Sequence, residues 1–324
     1  MNNLKNEKTE PLIWVDVEFN EYAQFNEALK DWYIDFSQLD SGTFYSKVQQ
    51  VIIPEIQVGY TKLDSHLDQK GVSPENMWSF VIMGKESSMF NFNHEMTKST
   101  STMVIYSPGH EINAVSVPGF EVYVFSIQSA HLNNVAISLG LHEIEEKLSK
   151  VDRVELDVEQ ADSLREQLQN ILTAVSKMED KVITAEGRDI FLTLLPIQFF
   201  KAIHQHMHCA PVRVFKSKHL SYMETRAYIH TNLHQHLTIE EIAKKFDISE
   251  RTLRNYYQEE LGISPKQYLN TVRLQKVRHE LKHTKKKVNI EAVARNYGFT
   301  HMGQFSKRYK DFFGELPSET LHSA

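Results

Sequence analysis

The chain has 324 residues, 41% of them hydrophobic and 24% charged, with a formal net charge of −6. This is an ordinary composition for a soluble globular protein, and the length suggests two domains. No apolar run is long enough for a membrane-spanning helix, the polar start MNNLKNEKTE is unlike a signal peptide, and the one cysteine, Cys209, excludes an intrachain disulfide and fits a reducing cytoplasm.

In chain order, PLIWVDVEF (11–19) predicts a short strand, and Tyr22, Phe25, Leu29, Trp32, Phe36 and Leu39, spaced three and four apart, predict an amphipathic helix packed on a core. From about Gly42 the period becomes strand-like. Segments such as TFYSKVQQVII, MWSFVIMG, TMVIYS and FEVYVFSI are separated by Pro, Gly, Ser and Asn turns. Short strands at this spacing predict an antiparallel β-barrel or jelly roll. Its interior is either a filled core or a pocket. For a pocket, the candidate effector-binding lining is Trp78, Phe80, Phe90, Phe92, Tyr106 and Tyr123, an apolar and aromatic set, with His94 and His110 as polar anchors.

Small jelly rolls also hold iron through two histidines and a carboxylate. Here His94 adjoins Glu95 and His110 adjoins Glu111, but neighbours on a strand face opposite sides, so at most one of each pair points inward. The run HQHMHC (204–209) places His204 and His208 on one helix face and is read as a helix end before a linker at Ala210-Pro211. No metal site, cofactor or catalytic residue is expected.

Two helices are predicted at about 157–180 and 187–208. The first has a stripe of Leu164, Leu168, Ile171, Leu172 and Val175, suited either to core packing or to pairing with a second copy. The second, FLTLLPIQFFKAI, is apolar nearly all round and is expected to be buried. Beyond the linker the charge reverses. Residues 211–324 hold 20 Lys and Arg against 12 Asp and Glu, a net of +8, which leaves −14 for the first 210. A positive excess of this kind is what counterion release from DNA phosphates requires.

The basic third contains one pattern twice. In TIEEIAKKFDISERTLRNYYQEELGIS, Thr238 and Glu241 make a capping box, Asp247-Ile248 a turn, and Ser249 caps a second helix. That helix turns Leu253, Tyr256 and Tyr257 inward and Glu250, Arg251, Arg254, Asn255 and Gln258 outward, side chains able to reach base edges and phosphates in a major groove. A merely solvated helix face is the alternative for one such helix, and the repetition argues against it. In NIEAVARNYGFTHMGQFSKRYKDFFGELPSE, Asn289 caps, Gly298 turns, and a helix at about 301–312 carries Phe305, Tyr309 and Phe312 inward. Gln304, Lys307, Arg308 and Lys310 point elsewhere, and Gly314 and Pro317 close the helix. Between the copies, Pro265 opens a connector helix of about 19 residues, roughly 28 Å long. This length could hold two recognition helices in adjacent major grooves, about 34 Å apart. Val272, Leu274, Val277 and Leu281 are expected on its packed face, and Arg273, Lys276, Arg278 and Lys282 in water.

Through Ala294, Gly298-Phe299, Phe305-Ser306, Tyr309-Lys310, Gly314 and Pro317, with Ala243, Ser249, Leu253 and Gly262 in the first copy, this region resembles the AraC/XylS family of transcription regulators. The resemblance implies base contacts from Arg251, Arg254 and Asn255 in the first recognition helix and from Met302, Gly303 and Lys307 in the second. Gln258, Gln304 and Lys310 complete the candidate DNA-binding set. Asn255 and Lys307 stand where the family commonly has arginine, and Met302-Gly303 offer bases little hydrogen bonding. The first motif is therefore expected to specify sequence and the second to grip phosphates. The segment SQLDSGTF, with Ser107-Pro108-Gly109 and Glu111, is similar to regulators of ethanolamine operons.

The resulting expectation is an α+β chain: residues 1–210 form a sensor and dimerisation domain with a helical pair, and residues 211–324 an all-α DNA-binding domain able to bind alone. The function read from this is sequence-specific transcription regulation in the cytoplasm, without enzymatic activity. Double-stranded DNA, a small-molecule effector, RNA polymerase and a second copy of the chain are the expected partners. The alternatives are a ligand-independent regulator set by its abundance and a metal-dependent barrel enzyme fused to a DNA-binding module.

Overall fold

A computed structural model describes residues 9–28, 34–42, 44–87, 90–92, 95–97, 99–206, 217–234, 237–283 and 288–322. It divides the chain into two compact units. The first comprises Met1–Asp35, Tyr45–Asp64 and Lys70–Arg213, and the second Phe36–Phe44, Ser65–Gln69 and Val214–Ala324.

The chain opens with β1 (Thr9–Pro11), β2 (Ile13–Phe19), the short α1 (Tyr22–Ala28) and β3 (Ile34–Gln38). The expected helix over 22–39 is thus only partly formed. Residues 34–38 are a strand, because Phe36 and Gln38 are buried while Asp35 is exposed, a period of two rather than 3.6. There follow β4 (Ser46–Ile53), β5 (Ile56–Leu63), β6 (Leu67–Val72), β7 (Met77–Met83), β8 (Phe90–Phe92) and β9 (Glu95–Thr97). Next come β10 (Thr102–Tyr106), β11 (Glu111–Ser116), β12 (Phe120–Gln128), α2 (Ser129–Ser138), α3 (Ile144–Ser149) and β13 (Arg153–Glu155).

Seven strands form an antiparallel sheet in the order β13-β10-β7-β12-β5-β4-β2, and five form a second in the order β3-β6-β11-β8-β9. Neither ladder closes on itself, so the sheets are open where a closed barrel was one expectation. Strand β7 is buried along its whole length, as a central strand covered on both faces must be.

The first unit is completed by α4 (Val158–Ser176), β14 (Val182–Thr184) paired to β1, α5 (Ala185–Asp189), a π-helical turn (Ile190–Leu194) and α6 (Leu195–His206). One face of the large sheet packs on these helices. Val51, Val58, Trp78, Phe80, Ile82, Ile105, Phe125 and Ile127 share a core with Leu164, Leu168, Leu172 and Val175 of α4 and with Phe199 and Ile203 of α6. The α4 stripe is therefore consumed within the subunit. The expectation that the second helix is buried throughout needs correction. Ile190 and Leu194, on the π-helical turn, are 55% and 53% exposed, because that turn breaks the helical period just where the apolar run is densest.

The second unit contains α7 (Ser217–Thr231), α8 (Ile239–Lys245), α9 (Glu250–Leu261), α10 (Pro265–His283), α11 (Ile290–Asn296), α12 (Met302–Phe313) and α13 (Pro317–His322). The segments 36–44 and 65–69 belong to it as well. Leu39 N donates to His66 O at 2.7 Å, Gln275 Nε2 to Gln38 O at 2.8 Å, and Gly42 N to Phe312 O at 3.3 Å. Among the described residues no helix is long and apolar enough to cross a membrane.

Candidate nucleic-acid interface

The geometry of the first helix-turn-helix follows from local rules. Thr238 Oγ1 accepts from Glu241 N at 3.2 Å while Glu241 Oε2 accepts from Thr238 N at 2.8 Å, so the two side chains satisfy free amides at the start of α8. Asp247 takes the left-handed conformation, φ 52°, and Ile248 N returns to Ala243 O at 3.0 Å, closing the turn. Ser249 Oγ accepts from Thr252 N at 3.0 Å and starts α9. Leu253, Tyr257 and Leu261 are buried, so Arg251, Arg254, Asn255 and Gln258 are left exposed on the other side. Gln258 has a second task, since its Nε2 donates to Gly262 O at 3.0 Å and helps close its own helix.

The second motif repeats the construction. Asn289 Oδ1 accepts from Glu291 N at 2.9 Å, Gly298 turns the chain at φ 83°, and Phe299 N returns to Ala294 O at 3.0 Å. Phe305, Tyr309 and Phe312 are buried, and Tyr309 Oη bonds Thr320 Oγ1 at 2.9 Å, joining α12 to α13. Gly303, Gln304, Lys307, Arg308 and Lys310 are exposed and Met302 is half-buried. Each recognition helix thus presents its candidate contact residues away from the core. Two cations and two amides line the first, and three cations with one amide line the second.

The connector α10 has the expected 19 residues and buries Val272, Leu274, Val277 and Leu281. Its charged side is drier than expected. Arg278 donates to Glu315 at 2.8 Å with its guanidinium 4.7 Å from the Phe313 ring, and Arg273 is buried with only 7% exposure. The signal for Arg273 was present in the spacing. Leu269, Arg273, Val277 and Leu281 recur every four residues and therefore share one helix face. Arg254 and Arg273 also border a cleft of about 580 Å³ with Glu240, Glu250, Lys266 and Asn270.

In the first unit, the residues expected to line one effector pocket fall on two faces of the large sheet. Trp78 and Tyr123 lie on the face packed against helices, and Tyr123 Oη donates to Gln169 of α4 at 2.9 Å. Tyr106 pairs across from Ser79, on the opposite face, and its ring meets Phe92 at 5.3 Å and His110 at 5.7 Å. Arg153 lies 5.3 Å over Phe92. Burial lowers the His110 pKa against the opposing pull of Asp152 and Glu111, and burial raises that of Tyr106. Phe80 belongs to the helix-side core. His94 lies outside the described residues, as do positions 207–209 of the HQHMHC run. Among the described residues no three His, Cys, Asp or Glu side chains come together as metal ligands.

The sequence pattern of a helix-turn-helix domain family matches residues 242–323. Over 109 residues the chain is 33% identical to the XylDLEGF operon transcriptional activator of Pseudomonas putida, covering 33% of this chain and 34% of that one. Over this region the chain is similar to transcription regulators of the AraC/XylS type. It is also 33% identical over 93 residues to the transcriptional activator RhaS of Klebsiella pneumoniae, covering 29% of this chain and 33% of the relative. Among solved structures, a probable AraC family transcriptional regulator from Rhodopseudomonas palustris matches with a TM-score of 0.31 and 33% identity, over 32% of this chain and 97% of that one. The matched segment is about a third of the length of the curated relatives, and it is the basic, twice-capped helical region.

Proposed function

We propose that this protein is a sequence-specific, DNA-binding transcription regulator of the AraC/XylS type, acting on double-stranded DNA in the cytoplasm together with RNA polymerase and without catalytic chemistry of its own. The observation that carries the reading is the pair of capped helix-turn-helix units whose recognition helices, α9 and α12, turn exposed cations and amides outward from one rigid connector. Arg251, Arg254 and Asn255 read bases. Gln304, Lys307 and Lys310 hold phosphates, with Met302 and Gly303 against the groove.

The first unit serves as the sensor in this reading, its own strands forming a jelly-roll-like chamber. Phe92, Tyr106 and His110 supply the aromatic wall. Ser116 Oγ on β11 is buried with no hydrogen-bond partner among the described residues and shares a strand face with Ala114, the residue opposite Phe92, so a small polar effector would find a hydroxyl there. A second copy of the chain joins through Ile190 and Leu194 and not through the α4 stripe, which is already covered.

Selection of binding duplexes from a random-sequence library with the full-length protein, followed by footprinting, tests the proposal. Two protected segments one helical turn apart are expected. Affinity that is independent of both salt and sequence would overturn it.

A further inference from the structure

Arg273 stands at the middle of α10, inside the apolar stripe formed by Leu269, Val277 and Leu281. It touches both motifs. Its Nη2 donates to Leu237 O at 3.3 Å, the residue immediately before the N-cap of α8. On the other side, a Cβ built on Gly298 would lie 3.0 Å from Arg273 Cζ and 3.1 Å from its Nη2, so the guanidinium rests against the backbone turn between α11 and α12. Gly298 serves two requirements at once: it permits a φ of 83° and leaves room for the guanidinium.

A long cation in a helix stripe of Leu and Val carries a desolvation cost, seen here as a pKa lowered by burial. An aliphatic residue would fill the stripe without that cost. What the guanidinium adds is reach and direction, because its planar fork presents donors at fixed angles to two separate backbone segments.

We infer that Arg273 is the positioning residue that sets the orientation of the two helix-turn-helix units relative to each other, by tying the entry of the first to the turn of the second. Carbonyl and turn are held by one rigid group, so rotation of either motif about α10 strains the same contact. The consequence for DNA binding is a narrow tolerance in the spacing between the two contacted segments. This inference rests on the DNA-binding reading above.

The test uses full-length protein and a duplex selected from a random-sequence library, with base pairs then added or removed one at a time between the two protected segments. Wild-type affinity should fall steeply away from the best spacing. Arg273→Met, which keeps the aliphatic volume, should bind the best spacing about tenfold more weakly and show a flattened spacing profile, with an unchanged dependence on salt. Gly298→Ala should flatten the profile in the same way. If the methionine variant does not fold, Arg273→Lys takes its place: it keeps the charge, cannot span both contacts, and should flatten the profile too.

A folded Arg273→Met protein with the wild-type spacing profile would overturn the inference. So would an equal loss at every spacing with a salt slope shallower by about one, since Arg273 would then be a phosphate contact. If the wild-type protein itself shows no salt-sensitive DNA affinity, the DNA-binding reading fails and not the role of Arg273.

Discussion

Asp68 and Arg226 form a salt bridge of 2.5 Å in which both side chains are almost completely buried. Tyr268 completes the cluster, its Oη donating to Asp68 Oδ2 at 3.3 Å and accepting from Arg226 Nε at 3.1 Å. Burial pulls the Arg226 pKa down, but the Asp68 carboxylate, with the Tyr268 hydroxyl accepting from the guanidinium, outweighs it and holds the group well above its usual value, so it stays a cation at any working pH. Asp68 belongs to segment 65–69 and Arg226 to α7, and both lie in the helical unit.

Breaking this pair should be costly, because a buried charge would lose its carboxylate. Asp68→Ala is expected to destabilise the helical unit by about 3–5 kcal/mol, measured by urea unfolding, whereas Asp68→Leu combined with Arg226→Met should recover much of the loss. An Asp68→Ala protein as stable as wild type would refute the structural importance of the pair. Residues 212–324 in isolation lose the same carboxylate. That fragment should show salt-sensitive DNA affinity but unfold at lower urea than the same unit in the full chain, since it lacks Asp68.

Specificity should separate from grip. Arg254→Ala on α9 should cost about 1–3 kcal/mol on the preferred sequence and little on random DNA. Lys310→Ala on α12 should weaken every sequence alike and make the salt slope shallower by about one. Equal loss on specific and random DNA for both variants would contradict this division of labour.

The rigidity of α10 makes a further prediction. Val277 is fully buried at its centre, and Val277→Pro would remove a helix hydrogen bond and kink the helix at a cost of about 3 kcal/mol or more. Footprints should then shrink from two adjacent grooves to one, while Val277→Ala keeps both. A folded proline variant with the full footprint would show that the connector does not set the geometry.

The exposed pair on the π-helical turn gives the last prediction. Ile190→Glu with Leu194→Glu should leave the fold intact, because neither side chain is part of the core, and should shift the protein from dimer to monomer in sedimentation equilibrium. An unchanged dimer, or a monomeric wild type, would remove this turn as the contact.

Much of the helical unit was legible in the sequence, residue by residue. The capping box of Thr238 and Glu241, the left-handed Asp247, the Asn289 cap and the turns at Gly298 and Gly314 depend on interactions within about four residues, and local order along the chain is enough to specify those. The outward placement of Arg251, Arg254, Lys307 and Lys310 followed from helical period alone. Tertiary structure alone decided the contacts between distant segments. Asp68 and Tyr268 meet although 200 positions apart, Trp78 and Tyr106 part to opposite faces of one sheet, and Ile34–Gln38 becomes a strand despite a helix-like spacing of apolar residues. Ile190 and Leu194 emerge from an apolar run that reads as buried. In each case the side chain's environment is set by which neighbour covers it, and periodicity says which residues share a face without saying what lies against that face.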